Sequence, residues 1–228
     1  VSQAFFVTGT DTEVGKTVAA CALLALARRQ GHTTLGLKPV AAGCDADGHN
    51  EDALALRAQS TVEVTYATTN PIALHDPIAP HIAAARAGLC LQTDAIAAHC
   101  RAQLTQADLV VIEGAGGWRV PLAETGPTLA DVAVALGLPV ILVVGMRLGC
   151  INHALLTAEA IARDGLQLAG WIANQPGLRM NCHDDNVATL TARLGAPLLG
   201  ELGFLPGADP GQLAGSLSLH SLGFPDQG

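Results

Sequence analysis

AFFVTGTDTEVGKT, residues 4–17, is the stretch that decides how the remainder of this 228-residue chain is read. Ala4–Thr8 is a short apolar run of strand-forming residues, and Gly9 breaks it. Gly15, Lys16 and Thr17 then open a helix-forming segment, VAACALLALARR. Strand, glycine loop and helix, with a lysine and a hydroxyl at the junction, is the order that phosphate binding needs. Glycines let successive N–H groups turn inward toward an anion, and the helix N-terminus adds the positive end of its dipole. Lys16 is expected to neutralise β- and γ-phosphate oxygens and the Thr17 hydroxyl to ligate Mg2+. Gly9, Thr12, Glu13, Val14 and Gly15 complete the expected nucleotide loop. A P-loop has four residues between its glycines; Gly9 and Gly15 enclose five. A plain glycine turn before an ordinary helix would use the same residues, but the flanking strand and helix favour phosphate.

Outward from that loop, strand, helix and turn alternate along the chain. TTLGL (33–37), LVVIEGAGG (109–117), PVILVVG (139–145), LAGWIA (168–173) and PLLGEL (197–202) read as strands. Residues 53–58, 83–103 with a break near 88–93, 128–136, 150–163 and 184–194 read as helices, and 60–82 as irregular. Continuous apolar strands separated by helices imply a doubly wound, mostly parallel α/β sheet with helices on both faces. Length and the lack of a linker suit one domain over 1–228, with 206–228, rich in Gly and Pro, expected to be loop.

Half the residues are hydrophobic but only 3% are aromatic, so the core must be built from Ala, Val, Leu and Ile. A net charge of −8 disfavours general nucleic-acid binding. Cys21, Cys44, Cys90, Cys100, Cys150 and Cys182 show no C-x-x-C spacing and read as reduced thiols of a cytoplasmic protein. VAACALLALA (18–27) has the length of a signal-peptide core, but its charges, Arg28 and Arg29, follow it instead of preceding it. No apolar run reaches the ~18 residues of a membrane span.

In parallel sheets ligands bind beyond the C-terminal strand ends. Lys38, one of only two lysines, sits at one of these ends, where a solvated loop charge is the plainer reading and a site role the favoured one. Glu113 closes the strand LVVIE before Gly114, Ala115 and Gly116, the Walker B arrangement in which a carboxylate orients Mg2+; a turn carboxylate would look the same. Asp52 reads on its own as a helix N-cap. Cys150 has no histidine with motif support beside it, so covalent catalysis is disfavoured.

The motifs GTDTEVGKT, KPV, DALAL, EGAGGW, PVILVVG, LGCINHALLTA and LAGW, in this order and covering the chain to about Leu205, resemble the dethiobiotin synthetase family. That resemblance implies an enzyme that uses ATP, Mg2+ and CO2 to close a ureido ring on 7,8-diaminopelargonic acid. It implies catalytic roles for Thr12, Glu13, Lys16 and Lys38, with Lys38 meeting the carbamate and the γ-phosphate. Glu13, unusual beside a polyanion, would meet the substrate amine. Asp52 becomes a Mg2+ ligand with Thr17 and Glu113, an all-oxygen set suited to a hard cation. Gly149, Cys150, Ile151 and Asn152 would receive the substrate carboxylate across a homodimer interface, making each site composite. Asn174, whose amide can pair with adenine, and Gln175, Gly203, Phe204 and Leu205 would line the nucleotide. Ala42, Arg147 and Gln175 stand where the family usually has serine, lysine and aspartate, and Gly203 replaces a proline.

A second resemblance, to septum-site and plasmid-partition ATPases, implies a nucleotide switch. Those proteins carry an additional lysine early in the loop, where this chain has Thr10, Asp11, Thr12, Glu13 and Val14.

Overall fold

The computed structural model describes residues 2–205, 207 and 209–224. Its strands are β1 (Gln3–Gly9), β2 (Thr34–Leu37), β3 (Val40–Ala42), β4 (Ile72–Leu74), β5 (Leu109–Glu113), β6 (Val140–Gly145), β7 (Leu168–Asn174) and β8 (Leu198–Leu202). Its helices are α1 (Lys16–Arg29), α2 (Glu51–Gln59), α3 (Tyr66–Thr69), α4 (Pro80–Arg86), α5 (Thr93–Arg101), α6 (Leu129–Leu136), α7 (Cys150–Arg163), α8 (His183–Arg193) and α9 (Pro210–Leu213). Six strands form one sheet in the order β2-β5-β1-β6-β7-β8, and every pairing in it is parallel. Among the described residues no helix is long and apolar enough to cross a membrane.

The sheet is apolar on both faces because successive side chains of one strand point opposite ways. Phe5 and Val7 of β1 pack with α1, while Phe6 between them joins Ile96, Cys100 and Val132 on the other side. β6 divides likewise: Ile141 and Val143 go to the α1 layer, and Leu142 and Val144 meet Trp171, Ala154 and Leu190 under α7 and α8. With few aromatics, small side chains let α1 lie close to the sheet, and seven alanines and leucines from Ala19 to Ala27, with Cys21, are buried there.

Three expectations need correction. Residues 60–82 are not irregular throughout: they hold α3, β4 and the first turn of α4. β4 pairs in parallel with β3, a strand too short to show periodicity, and Asn70 braces the pair by donating to the carbonyls of Lys38 and Ile72. The strand expected over 109–117 stops at Glu113, where the glycines turn away. The tail is not mere loop: α9 and two short 3-10 turns carry Leu213, Leu217, Leu219, Leu222 and Phe224 into the α1 core, and Leu217 bridges Gly200. Its apolar residues are too widely spaced by Gly and Ser to show as a helix in sequence. The expectation for residues 206, 208 and 225–228 lies outside the described residues.

Candidate active site

Three strand ends, β1, β2 and β5, meet at one edge and supply the floor of a cavity of about 870 Å3. The loop after β1 holds its shape through its neighbours. Thr10 donates its N–H to the Val143 carbonyl at 3.0 Å, and Asn174 Nδ2 donates to the Val14 carbonyl at 2.8 Å. Gly15 adopts φ 86°, and a Cβ there would lie 2.1 Å from Asn174 Nδ2, so both backbone and space demand glycine. No side chain caps the start of α1, which leaves its first N–H groups directed at the loop. Glu13, at φ 58°, is one of two non-glycine residues with positive φ among those described.

The loop carries Lys16, only 7% exposed, whose Nζ donates to the Asp11 carbonyl at 3.0 Å. Burial and the nearby Lys38 charge lower its pKa from 10.5 to about 8. Asp11 is further held by Arg147, Nη2 to Oδ2 at 2.6 Å, and accepts the Thr12 N–H on Oδ1 at 2.8 Å.

Behind the loop lies a compact charged cage. Lys38, 3% exposed, donates to Glu113 Oε1 at 2.6 Å and to the Gly114 carbonyl at 3.2 Å, and meets Asp52 Oδ2 at 3.0 Å. The Thr17 hydroxyl lies 2.7 Å from Asp52 Oδ1 and 2.9 Å from Glu113 Oε1, yet its single proton can serve only one of them. Burial works to pull the Lys38 pKa down, but two adjacent carboxylates outweigh it and raise it. Asp52 resists burial through Lys38 and is lowered, whereas burial raises the fully enclosed Glu113 against the pull of Lys38. Taken singly, a raised Glu113 points to a neutral acid and a raised Lys38 to a retained charge. Two carboxylate contacts on one ammonium make ammonium and carboxylate the governing form.

Glu113 Oε2 is buried without a hydrogen-bond partner. That orphaned oxygen and the convergence of Thr17, Asp52 and Glu113 fit a hard cation. Among the described residues no three His, Cys, Asp or Glu side chains gather into a metal cage. Two carboxylates and a hydroxyl suit Mg2+, which commonly takes one or two carboxylates and completes its shell with phosphate oxygens and water.

Thr12, Glu13, Gly15, Lys16, Thr17, Lys38, Ala42, Asp52, Glu113, Ala115 and Gly116 all line the cavity. Gly9 and Val14 lie behind it: a Cβ on Gly9 would come within 2.6 Å of Val14 Cγ2. Asn174, 5% exposed, is a strut beneath the loop, with one amide N–H donating to Val14. Gln175 donates its N–H to Leu202, and Gly203, Phe204 and Leu205 are exposed beyond β8; none of these lines the cavity. Gly149, Cys150, Ile151 and Asn152 open α7 outside this cavity, and burial raises the Cys150 thiol, which opposes a nucleophilic role.

Sequence reasoning missed the facing wall. Pro77, Ile78, Ala79 and Pro80 approach from the β4–α4 connection, and Arg119, Val120 and Pro121 from the turn after β5. Trp118, edge-on to Phe6, anchors that turn, and Asp164 accepts from both Trp118 Nε1 and Arg119 Nη2 at 2.7 Å. The paired prolines 77 and 80 were the one available signal of a rigid segment.

A family model described as an AAA domain matches residues 3–212. The chain is 57% identical over 201 residues to the ATP-dependent dethiobiotin synthetase BioD of Cellvibrio japonicus, covering 87% of this chain and 88% of that one. It is 54% identical over 220 residues to the protein of the same name from Aromatoleum aromaticum, covering 95% and 97%. Among solved structures, a ParA family ATPase from Chlorobium tepidum superposes over 98% of this chain and 93% of its own, with a TM-score of 0.56 at 13% identity. At that identity the likeness concerns the fold.

Proposed function

The chain belongs to the ATP-dependent dethiobiotin synthetase family, and on that premise we propose that it closes the ureido ring of dethiobiotin from 7,8-diaminopelargonic acid, CO2 and ATP. The observation that carries this reading is the cavity's mixed chemistry. Two lysines and an all-oxygen cation set line it from the strand ends; apolar Ala42, Pro77, Ile78, Ala79, Val120 and Pro121, with Arg119 among them, complete the lining. A substrate with charged nitrogens at one end and a methylene chain behind them needs both.

One amine of the substrate attacks CO2 and loses a proton, giving a carbamate. A carbamate oxygen attacks the γ-phosphorus and ADP leaves, giving a carbamic–phosphoric anhydride. The second amine attacks the carbamoyl carbon, and phosphate departs as the ring closes. Lys16 moves from the Asp11 carbonyl to the phosphates, and Lys38 neutralises the carbamate and the transferring phosphoryl group. Glu13, at the cavity mouth, offers its carboxylate to the substrate's ammonium. Thr17, Asp52 and Glu113 would hold Mg2+, which supplies charge neutralisation on the phosphates. The protein's part is positioning and charge.

Gly149–Asn152 lie outside the cavity, so the proposed carboxylate contact requires a second copy. The 97%-exposed Leu148 beside them and the exposed Leu156 of α7 support a homodimer. Mixing Lys16→Ala chains with Ile151→Pro chains should restore one working site per heterodimer; a mixture that stays inactive after verified subunit exchange removes the composite site. Free thiols at all six cysteines, with Cys90 and Cys182 exposed, support a cytoplasmic setting, and we take 1–228 as one catalytic domain.

The test of the function is a balance of products. With ATP, Mg2+, CO2 and the diamine, phosphate and dethiobiotin should appear one for one, and omission of the diamine should stop both. ATP hydrolysis at an undiminished rate without diamine or CO2 would instead indicate a nucleotide switch.

A further inference from the structure

Lys38 occupies the place that the proposed function reserves for a metal. Its ammonium is bonded to Glu113 Oε1 and to Asp52, and the same Glu113 oxygen also contacts Thr17. A Mg2+ ion binds oxygens at roughly 2.0–2.1 Å and repels a neighbouring cation. Whether the ion takes Glu113 Oε1 or the orphaned Oε2, it would sit against the ammonium that bridges Glu113 and Asp52 at 2.6 and 3.0 Å. The backbone of Lys38 is in no position to yield. Its N–H donates to the Thr69 carbonyl at 2.8 Å, its carbonyl accepts from Asn70 Nδ2 at 2.6 Å, and Pro39 follows. The four-carbon side chain has the freedom to move, and the open space it lines is the cavity.

We propose that Lys38 is a placeholder cation: its ammonium fills the Thr17–Asp52–Glu113 oxygen cage until Mg2+ enters, and the metal then expels it into the cavity toward the reacting anion. The inference rests on the reading of Thr17, Asp52 and Glu113 as the metal ligands and adds an order of events to it. Without the placeholder, Glu113 would be fully buried beside Asp52 with no counter-charge in direct contact. With it, one of the cage's two negative charges is balanced in the empty enzyme, and a catalytic cation is delivered only when metal and nucleotide are in place. Until then Lys38 cannot attract stray anions to the reaction centre.

The sequence makes the test direct, because Lys16 and Lys38 are its only lysines. Protein carrying 15N at lysine Nζ has two side-chain ammonium signals, and a Lys16→Met sample identifies the one belonging to Lys38. Metal-free ADP should move the Lys16 signal and leave that of Lys38. Titrating Mg2+ into the ADP complex should then shift or broaden the Lys38 signal in step with metal uptake measured by calorimetry. A Lys38 signal unchanged at full metal occupancy overturns the exchange while leaving the metal ligands intact. No metal uptake in the presence of ADP overturns both the ligand assignment and the exchange. In a second arm, Lys38→Met should bind Mg2+ in the ADP complex about tenfold more tightly, since its competitor is gone; unchanged or weaker binding contradicts the proposal. If that variant does not fold, the wild-type spectra decide. Neither arm needs the diamine or CO2, so the outcome is separate from that of the product assay.

Discussion

The loop after β1 and the cage at the ends of β2 and β5 each bury one lysine, and the two lysines sit in opposite electrical surroundings. Lys16 rests on a single backbone carbonyl, that of Asp11. Lys38 contacts two carboxylates and a carbonyl. Burial acts on both, yet Lys16 is lowered to about 8 while Lys38 is raised. Burial alone therefore does not set a lysine's role; the counter-charge within reach does. The loop is an incomplete site, waiting for an anion. The cage already holds a cation against its two carboxylates, with Glu113 Oε2 left over, so something must be exchanged before it can act.

Removing the loop cation should give the largest effect. Lys16→Ala takes away a donor to charge that grows during phosphoryl transfer, a contribution of ~2.7–4 kcal/mol, or roughly a hundred- to a thousandfold in rate. Dethiobiotin formation within tenfold of wild type would set the loop and cage on an equal footing and remove the P-loop role.

Stability should separate the two regions by sign. The folded-state pKa of Lys16, about 8, lies below its ordinary 10.5. The cost of keeping it charged is thus fully present below pH 8 and fades as pH rises toward 10.5. Nucleotide-free Lys16→Met should be more stable than wild type at pH 7, by at most about 3 kcal/mol, and lose most of that advantage by pH 10. Lys38→Met should be less stable at pH 7 by about 3 kcal/mol, because a buried carboxylate loses its partner. Urea denaturation at pH 7 and 10 reads both, and two variants shifted the same way would erase the contrast.

The smallest effect belongs to the outer tie of the loop. Asp11 and Arg147 are each half exposed, and exposed pairs contribute ~0.2–1 kcal/mol. Arg147→Ala should weaken ATP binding about two- to fivefold by leaving the Asp11 carboxylate unneutralised beside the phosphates. Adding Asp11→Asn should restore it; calorimetric titration of both variants checks the pair, and a double variant no better than the single one removes the charge argument.

The same contrast explains what could be read from the chain. Glycine spacing, Lys16 and Thr17 advertise the loop because its chemistry is local, spanning residues 9–17. The six strands of the sheet were legible because buried parallel strands are continuous apolar runs. The cage joins Thr17, Lys38, Asp52 and Glu113 over 96 residues of separation, and Asp52 was singled out through the family resemblance. The proline wall offers only its paired prolines as a signal and the Arg119 turn carries no periodicity, so packing is what places both at the site. Asn174, at a strand end, spends one amide N–H on Val14, which leaves its other N–H and its oxygen for the proposed adenine contact.

The most direct test of the division between the two lysines is Lys38→Ala, studied at saturating Mg2+ in two assays on one preparation. ATP affinity should stay within about threefold of wild type while single-turnover dethiobiotin formation slows by about a hundredfold or more, because Lys38 acts on the reacting groups and Lys16 holds the nucleotide. A variant that binds ATP poorly but regains the wild-type rate at saturating ATP would contradict that division and make Lys38 a second nucleotide contact.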